Sequence, residues 1–131
     1  MCSSRALPEV CVPQADSVII RPALVGDVPA MAEIINGFAA RQLMLPRSQF
    51  QFYQHVRDFS VLEHQGEIIG CGALQFVWAD MAEIRSLAVK PEWQGKGLGR
   101  RLVERLLDDG RTHGVPRVFC LTYQEAFFAR L

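Results

Sequence analysis

The sequence predicts a single α/β domain in which a twisted sheet is flanked by helices. Short apolar runs typical of strands alternate with runs of helical periodicity along most of the 131 residues. One hairpin is clear, because Phe59–Glu63 and Glu67–Phe76 are rich in strand-forming residues and Gly66 between them can adopt a positive φ. The third observation is Glu83–Gly99, where an apolar strand leads through a proline and three glycines into an amphipathic helix.

A short strand and two helices are predicted ahead of the hairpin. Val18–Arg21 is an apolar run that ends at Pro22. Asp27 is expected to cap the first helix, and a shorter second helix is expected to follow Ser48. The side chains predicted to be buried by these two helices are Val28, Met31, Ile34, Ile35, Phe38, Phe52 and Val56.

The pattern continues after the hairpin with further alternation. Met81–Val89 is predicted to be a strand, and the helix after the glycines is expected to stop near Gly114. Val118–Tyr123 is a further strand, and Gln124–Leu131 has the apolar spacing of a helix that begins there. No internal repeat divides the chain.

Composition excludes several classes of protein. Fourteen basic residues balance 14 acidic ones, so charge favours neither nucleic acid nor an anionic membrane as a partner. The four cysteines, Cys2, Cys11, Cys71 and Cys120, have no metal-ligand or redox spacing, so we expect reduced thiols and no metal. The apolar runs are too short to span a bilayer, and the N-terminus lacks the pattern of a signal peptide. The expectation is a cytoplasmic enzyme domain.

The glycine segment has the chemistry of an anion-binding cradle. Gly95, Gly97 and Gly99 lie where a helix begins, and the first amides of a helix have no partner within it. Those amides and the positive end of the helix dipole attract an anion, while glycine lets a phosphate oxygen approach the backbone closely. Lys96 and Arg100 add positive charge. We therefore predict that this segment binds a diphosphate.

The spacing of the glycines distinguishes this segment from other phosphate-binding loops. The P-loop pattern fails because Lys90 occupies the place of its first glycine, and no arrangement of the glycines satisfies G-x-G-x-x-G. The segment matches Q/R-x-x-G-x-G/A through Gln94, Gly97 and Gly99. This pattern resembles the acetyl-CoA signature of the GNAT superfamily of N-acetyltransferases. The alternative is a glycine-rich turn that merely starts a helix.

The resemblance covers residues 18–131 and implies the acyl-CoA N-acyltransferase fold, a mixed twisted sheet flanked by helices. Residues 1–17 lack periodicity and are expected to form a mobile N-terminal extension. The resemblance implies that acetyl-CoA is the co-substrate and that a bulge near the end of the fourth strand presents backbone N–H groups to it. It assigns cofactor binding to Leu87, Ala88, Val89, Gln94, Gly95, Lys96, Gly97, Leu98, Gly99 and Arg100.

The resemblance also implies where protons are transferred. Glu83, at the start of the fourth strand, occupies the position of a general base in several acetyltransferases. Regular alternation predicts Glu83, Arg85 and Leu87 on one face of the strand and Ile84, Ser86 and Ala88 on the other. An ordinary exposed pair of Glu83 with Arg85 is the alternative.

The acid that protonates the departing thiolate is expected to be a tyrosine in the last helix of the family. Phe128 stands at that place and cannot donate a proton. The role is therefore absent or passes to Tyr123 or to solvent.

A narrower resemblance concerns the substrate. Leu43–Phe59, together with the strand segments, resembles the acetyltransferase domain of bacterial N-acetylglutamate synthases, which acetylate the α-amine of glutamate in arginine biosynthesis. It implies that Arg47 contacts a substrate carboxylate, since a guanidinium donates two parallel hydrogen bonds. Arg85 and Ser86 are the further substrate candidates, and Arg85 or Lys96 could supply a second cation.

Two departures from that resemblance stand in this chain. No amino-acid-kinase-like domain fits ahead of residue 18, which matches the short form of the enzyme. Gln124 stands where some relatives have an arginine.

The family usually continues after the last helix with one or two strands, whereas this chain ends at Leu131. We expect a truncated sequence, and the alternative is a homodimer in which a second protomer supplies the edge. The functional alternatives are an acetyltransferase for another amine, such as a polyamine, an antibiotic or a protein N-terminus, and a catalytically silent acyl-CoA-binding regulatory domain.

Overall fold

The computed structural model describes residues 17–40 and 48–120, which form one five-stranded sheet with helices on both faces. The strands lie in the order β1-β2-β3-β4-β5, with β1 to β4 antiparallel and β5 parallel to β4. A parallel pair needs a crossover connection, and a helix supplies it here. The strand bounds are β1 Ile19–Pro22, β2 Phe59–His64, β3 Glu67–Trp78, β4 Met81–Val89 and β5 Arg117–Cys120.

Within residues 17–40 and 48–120, three helices cover the sheet. They are α1 (Val28–Ala40), α2 (Gln49–Gln54) and α3 (Leu98–Thr112). Helices α1 and α2 pack on one face of the sheet, here called the α1 face. Helix α3, the crossover between β4 and β5, packs on the opposite face, the α3 face. Short 3₁₀ turns precede α1, β2 and α3.

Periodicity predicted the buried side chains of α1 correctly. Val28, Met31, Ile34, Ile35 and Phe38 are all buried. In the next helix Phe52 is fully buried, while Val56 lies in a 3₁₀ turn and is only partly buried against the same core. Complete burial of a side chain of this size contributes about 1.5–3 kcal/mol to stability.

Asp27 does not cap α1 as predicted. It ends a 3₁₀ turn, Val25–Asp27, and one carboxylate oxygen accepts a hydrogen bond from the Leu24 amide at 2.8 Å. Both carboxylate oxygens also accept from the Arg21 guanidinium, at 2.8 and 3.0 Å. The chain enters the helix through this turn, so the carboxylate closes the turn and joins it to β1.

A bulge in β4 changes which face its last residues occupy. Arg85 pairs with Ala73 and Ala88 with Cys71, so Ser86 and Leu87 together oppose Gly72. Ser86 has a φ of 56°, in the left-handed region. The sequence prediction of a bulge is therefore confirmed, one residue earlier than expected.

The predicted alternation is wrong beyond this bulge. Leu87 packs on the α3 face, where a Cβ on Gly72 would lie 2.8 Å from its Cδ1 atom. Ala88 joins the core of the α1 face. The extra residue shifts the two-residue period, so Leu87 leaves the face of Glu83 and Arg85, and Ala88 enters it.

Candidate active site

The connection from β4 to α3 is anchored by one aromatic side chain. Pro91–Trp93 forms a 3₁₀ turn, and Trp93 is buried in the α3-face core with Leu98 and Leu102. The ring centroids of Trp93 and His64 are 4.7 Å apart. The turn that follows Trp93 is thus attached to the core at its base.

Two glycines of the turn adopt conformations that other residues avoid. Gly95 has a φ of 79° and Gly97 a φ of 80°. A Cβ added at either residue would meet no protein atom within 4 Å. Backbone conformation therefore requires these glycines, and the space beside them is open to a ligand. Gly99 lies within the first turn of α3 and needs no such conformation.

The N-terminus of α3 follows directly after these glycines and has backbone donors that precede its hydrogen-bond ladder. Gly97 is the N-cap and has no side chain to accept from the first turn. The first bond of the helix runs from the Arg101 amide to the Gly97 carbonyl at 3.2 Å, so the amides of Leu98 and Gly99 precede the intrahelical ladder. Lys96 and Arg100 are exposed beside them. The arrangement can bind an anion through amides, dipole and charge.

Gln94 braces this turn against the end of β4. Its Nε2 atom donates a hydrogen bond to the Val89 carbonyl at 2.9 Å. Lys90, the residue after Val89, donates a hydrogen bond from its backbone N–H to the Ile69 carbonyl at 2.8 Å. Gln94, the first residue of the Q-x-x-G-x-G pattern, therefore stabilises the turn. Its contact with the cofactor stays a prediction.

Three polar side chains share the α1 face at the other end of β4. The register sets Gln75 opposite Glu83, and Arg85 opposite Ala73. The Arg85 Nη1 atom donates to Gln75 Oε1 at 3.0 Å. The Arg85 Nε atom lies 4.0 Å from Glu83 Oε1, which is longer than a hydrogen bond. Sequence reasoning predicted Glu83 and Arg85 but missed Gln75, which only the hairpin register connects to them.

The neighbours of Glu83 on β5 are Phe119, at the paired position, and Cys120, the next residue, which packs against the α3-face core. Phe119 pairs with Glu83, and the described pairing of β4 with β5 continues as far as Ile84 and Cys120. Burial raises the pKa of the Cys120 thiol, and the negative charge of Glu83 raises it further. This thiol therefore stays protonated at neutral pH and is a poor nucleophile.

Not all predicted site residues belong to the described part of the chain. Arg47 and Tyr123 lie outside it, as do Gln124 and Phe128. The described residues bring the cofactor candidates together at the β4–α3 turn and place Glu83 and Arg85 together on the α1 face. Ser86 occupies the bulge between these two groups. In the described ranges, no helix is long and apolar enough to span a membrane.

The fold and the turn define the class of protein. A mixed sheet, a bulged fourth strand and a glycine turn at a helix N-terminus together form a domain of the acyl-CoA N-acyltransferase fold. Residues 29–131 match the family described as Acetyltransferase (GNAT) family. The chain belongs to this family.

Comparison with curated proteins identifies relatives of two lengths. An amino-acid acetyltransferase of Mycobacterium tuberculosis is 39% identical over 115 residues, covering 86% of this chain and 66% of the relative. An N-acetyltransferase of Chlorobaculum tepidum is 42% identical over 120 residues, covering 92% of this chain and 77% of the relative. An amino-acid acetyltransferase of Neisseria meningitidis is 41% identical, and the chain spans 24% of its length.

Solved structures show the same similarity. N-acetylglutamate synthase from Neisseria gonorrhoeae, complexed with coenzyme A and N-acetyl-glutamate, has a TM-score of 0.83 at 39% identity, covering 86% of this chain and 27% of that one. A Mycobacterium tuberculosis protein in complex with CoA has a TM-score of 0.82 at 39% identity, covering 86% of this chain and 69% of that one. The predicted fold class is confirmed.

Proposed function

We propose that this chain transfers the acetyl group of acetyl-CoA to the α-amine of an amino acid, and that the amino acid is L-glutamate. The observation that carries the proposal is the open glycine turn at the N-terminus of α3, directly after a bulged β4. The relatives named amino-acid acetyltransferase, and the structures with CoA, support the same reading.

In this proposal the β4–α3 turn binds the diphosphate of acetyl-CoA. Gly95–Arg100, the turn and the first residues of α3, offer amides and two exposed cations, and the open side of Gly95 and Gly97 admits phosphate oxygens. Gln94 keeps the turn attached to Val89. The backbone of Leu87–Val89, which begins in the bulge, would bind the pantetheine arm and polarise the thioester carbonyl.

The reaction requires an acceptor for one proton. The amine attacks the thioester carbonyl only when neutral, the C–N bond forms, and the C–S bond breaks to release CoA thiolate. Glu83 is proposed to accept the proton of the amine, directly or through water. It is partly buried, and its carboxylate makes no hydrogen bond to Arg85. Tyr123 or solvent would return a proton to the thiolate.

Recognition of the substrate carboxylates is proposed for Arg47 and Arg85, and for Ser86, which follows Arg85 on β4. Arg85 lies on the same sheet face as Glu83, so an amino acid bound there would have its amine near the base. Lys96 lies in the cofactor turn instead, which favours Arg85 as the second cation. Glutamate acetylation would assign the protein to arginine biosynthesis in the cytoplasm, and a homodimer stays part of the proposal.

The test is turnover with a panel of amines. The purified chain is incubated with acetyl-CoA and glutamate, aspartate, glutamine, spermidine or a peptide N-terminus, and both CoA release and the acetylated product are measured. We expect glutamate to give the highest kcat/KM. Faster turnover of an uncharged amine would refute the glutamate assignment, and tight CoA binding without turnover of any amine would favour a silent acyl-CoA-binding domain.

A further inference from the structure

Arg85 and Glu83 lie two residues apart on the same face of β4, and their side chains form no hydrogen bond with each other. A guanidinium is a planar fork that fits a carboxylate with two parallel hydrogen bonds. Here the Nε atom of Arg85 stays 4.0 Å from Glu83, while its Nη1 atom bonds to the neutral Gln75 amide at 3.0 Å. The closer partner of the guanidinium is therefore an uncharged acceptor.

A closed pair of Arg85 with Glu83 would weaken both groups for the proposed reaction. It would lower the basicity of the carboxylate that should accept a proton, and it would occupy the fork that should receive a substrate carboxylate. Gln75 can prevent this closure, because β3 holds its amide opposite Glu83 and diagonal to Arg85. A neutral amide does so without adding a charge.

We infer that Gln75 is a positioning residue, which holds the Arg85 guanidinium apart from Glu83 so that the base and the carboxylate-binding cation stay separately available. This inference rests on the proposed function. It identifies a determinant of specificity on β3, outside the β4–α3 segment that the family signature covers.

The charges around Glu83 allow a clear test. Among the described residues, Arg85 on the same strand lies 4.0 Å from Glu83, and the charge of Glu83 acts on the Cys120 thiol of β5. Burial and the charge of Glu83 raise the pKa of Cys120, so its thiol stays protonated at neutral and acidic pH, where the acidic limb is measured. Gln75 itself does not titrate. A change in pH dependence that Gln75→Met causes in the parent but not in the Arg85→Met background therefore reports on Arg85.

The first experiment is a double-mutant cycle read by pH–rate profiles. Gln75→Met keeps the length of the side chain and removes the acceptor, so Arg85 should close onto Glu83. We expect kcat with glutamate to fall roughly tenfold, because pairing with a cation weakens a carboxylate as a base, and the acidic limb to move to lower pH. The KM for glutamate should rise, and acetyl-CoA affinity should not change.

The cycle is completed in the Arg85→Met background, where Gln75→Met should have no further effect on kcat or on the acidic limb. Gln54→Met, the same change at an exposed site on α2, controls for the substitution itself. Equal losses from Gln75→Met in both backgrounds, or a profile lowered at every pH without a shift, would overturn the inference.

A second measurement does not depend on turnover. The Arg85 Nε–H resonance, identified by its loss in Arg85→Met, should exchange more slowly with water in Gln75→Met, because the closed pair protects it. An unchanged exchange rate would overturn the inference even for an inactive protein. Slower exchange together with an unchanged pH–rate profile would support the positioning role and refute Glu83 as the base, so the two failures are distinguishable.

Discussion

Gln94 reaches back across the β4–α3 turn and donates a hydrogen bond from Nε2 to the Val89 carbonyl oxygen at 2.9 Å. This bond links the first residue of the glycine signature to the end of the bulged strand. The glycines that follow, Gly95 and Gly97, both have positive φ and no side chain to hold them. The shape of the turn therefore depends on the Gln94–Val89 hydrogen bond before it and on helix α3 after it.

Removal of the Gln94–Val89 hydrogen bond should weaken cofactor binding. Gln94→Leu loses one partly buried hydrogen bond, worth about 0.5–1.5 kcal/mol, so we expect acetyl-CoA to bind up to about tenfold more weakly by calorimetry. Gln94→Arg keeps a donor at the same place, as the signature allows, and should restore most of the affinity. If Gln94→Leu binds acetyl-CoA as tightly as the parent, the Gln94–Val89 hydrogen bond does not shape the binding site.

The role of Gly97 can be separated from its backbone strain by a matched pair. Gly97→Ala and Gly114→Ala each place a side chain at a φ of 80° with open space around it. Both should lose about 1–2 kcal/mol of unfolding free energy, the usual cost of the left-handed conformation. Only Gly97→Ala should also reduce acetyl-CoA affinity, because only it lies at the N-terminus of α3. Equal acetyl-CoA affinity of the two variants would refute the prediction that the glycine turn binds the diphosphate.

Replacement of Glu83 should slow the reaction in a pH-dependent way. Glu83→Gln keeps the shape of the side chain but cannot accept the proton, so kcat at neutral pH should fall by roughly a hundredfold or more. The deficit should shrink at high pH, where the substrate amine loses its proton unaided. The measurement is the pH–rate profile of both proteins, and parallel curves without convergence would exclude Glu83 as the proton acceptor.

Substitution of Arg47 should act on one substrate alone. Arg47→Leu removes the proposed charge-assisted contact with a carboxylate, worth about 1.5–3 kcal/mol, so the KM for glutamate should rise by about ten- to a hundredfold. Steady-state kinetics with each substrate varied should show an unchanged KM for acetyl-CoA. Equal losses for both substrates would indicate misfolding rather than recognition.

The ion pair of Arg21 with Asp27 should make stability depend on acid pH. The hydrogen bond from Arg21 lowers the pKa of Asp27, against the opposing effect of burial, and the Leu24 amide lowers it further. A lowered pKa in the folded state stabilises the protein above the ordinary value of about 3.9, and this contribution is lost as the pH falls through the lower folded value.

We therefore expect Asp27→Asn to unfold at a lower temperature than the parent at pH 7, because it should lose about 1 kcal/mol of unfolding free energy. Thermal unfolding of both proteins at pH 7 and near pH 3 measures the effect. The difference should shrink at the acidic pH. A difference of the same size at both values would mean that Asp27 acts through shape rather than charge.

Local patterns predicted much of this fold because they depend only on neighbours in the chain. The helical spacing of Met31, Ile35 and Phe38 predicted which side chains of α1 are buried. The composition of the β2–β3 hairpin and the glycines before α3 were equally local signals. Asp27 shows where local patterns fail. They predicted a cap on α1, but its carboxylate binds Arg21, which belongs to strand β1.

The sequence by itself determined the family, the glycine turn and the buried face of α1, because these depend on residue type and short-range period. Only the tertiary structure decided that Ser86 opposes Gly72 together with Leu87, which moves Leu87 to the α3 face. It also decided that Gln75, ten residues before Arg85, is the hydrogen-bond partner of its guanidinium. Register and bulges depend on how strands pair, and pairing is set by the packing of the whole sheet rather than by any single segment.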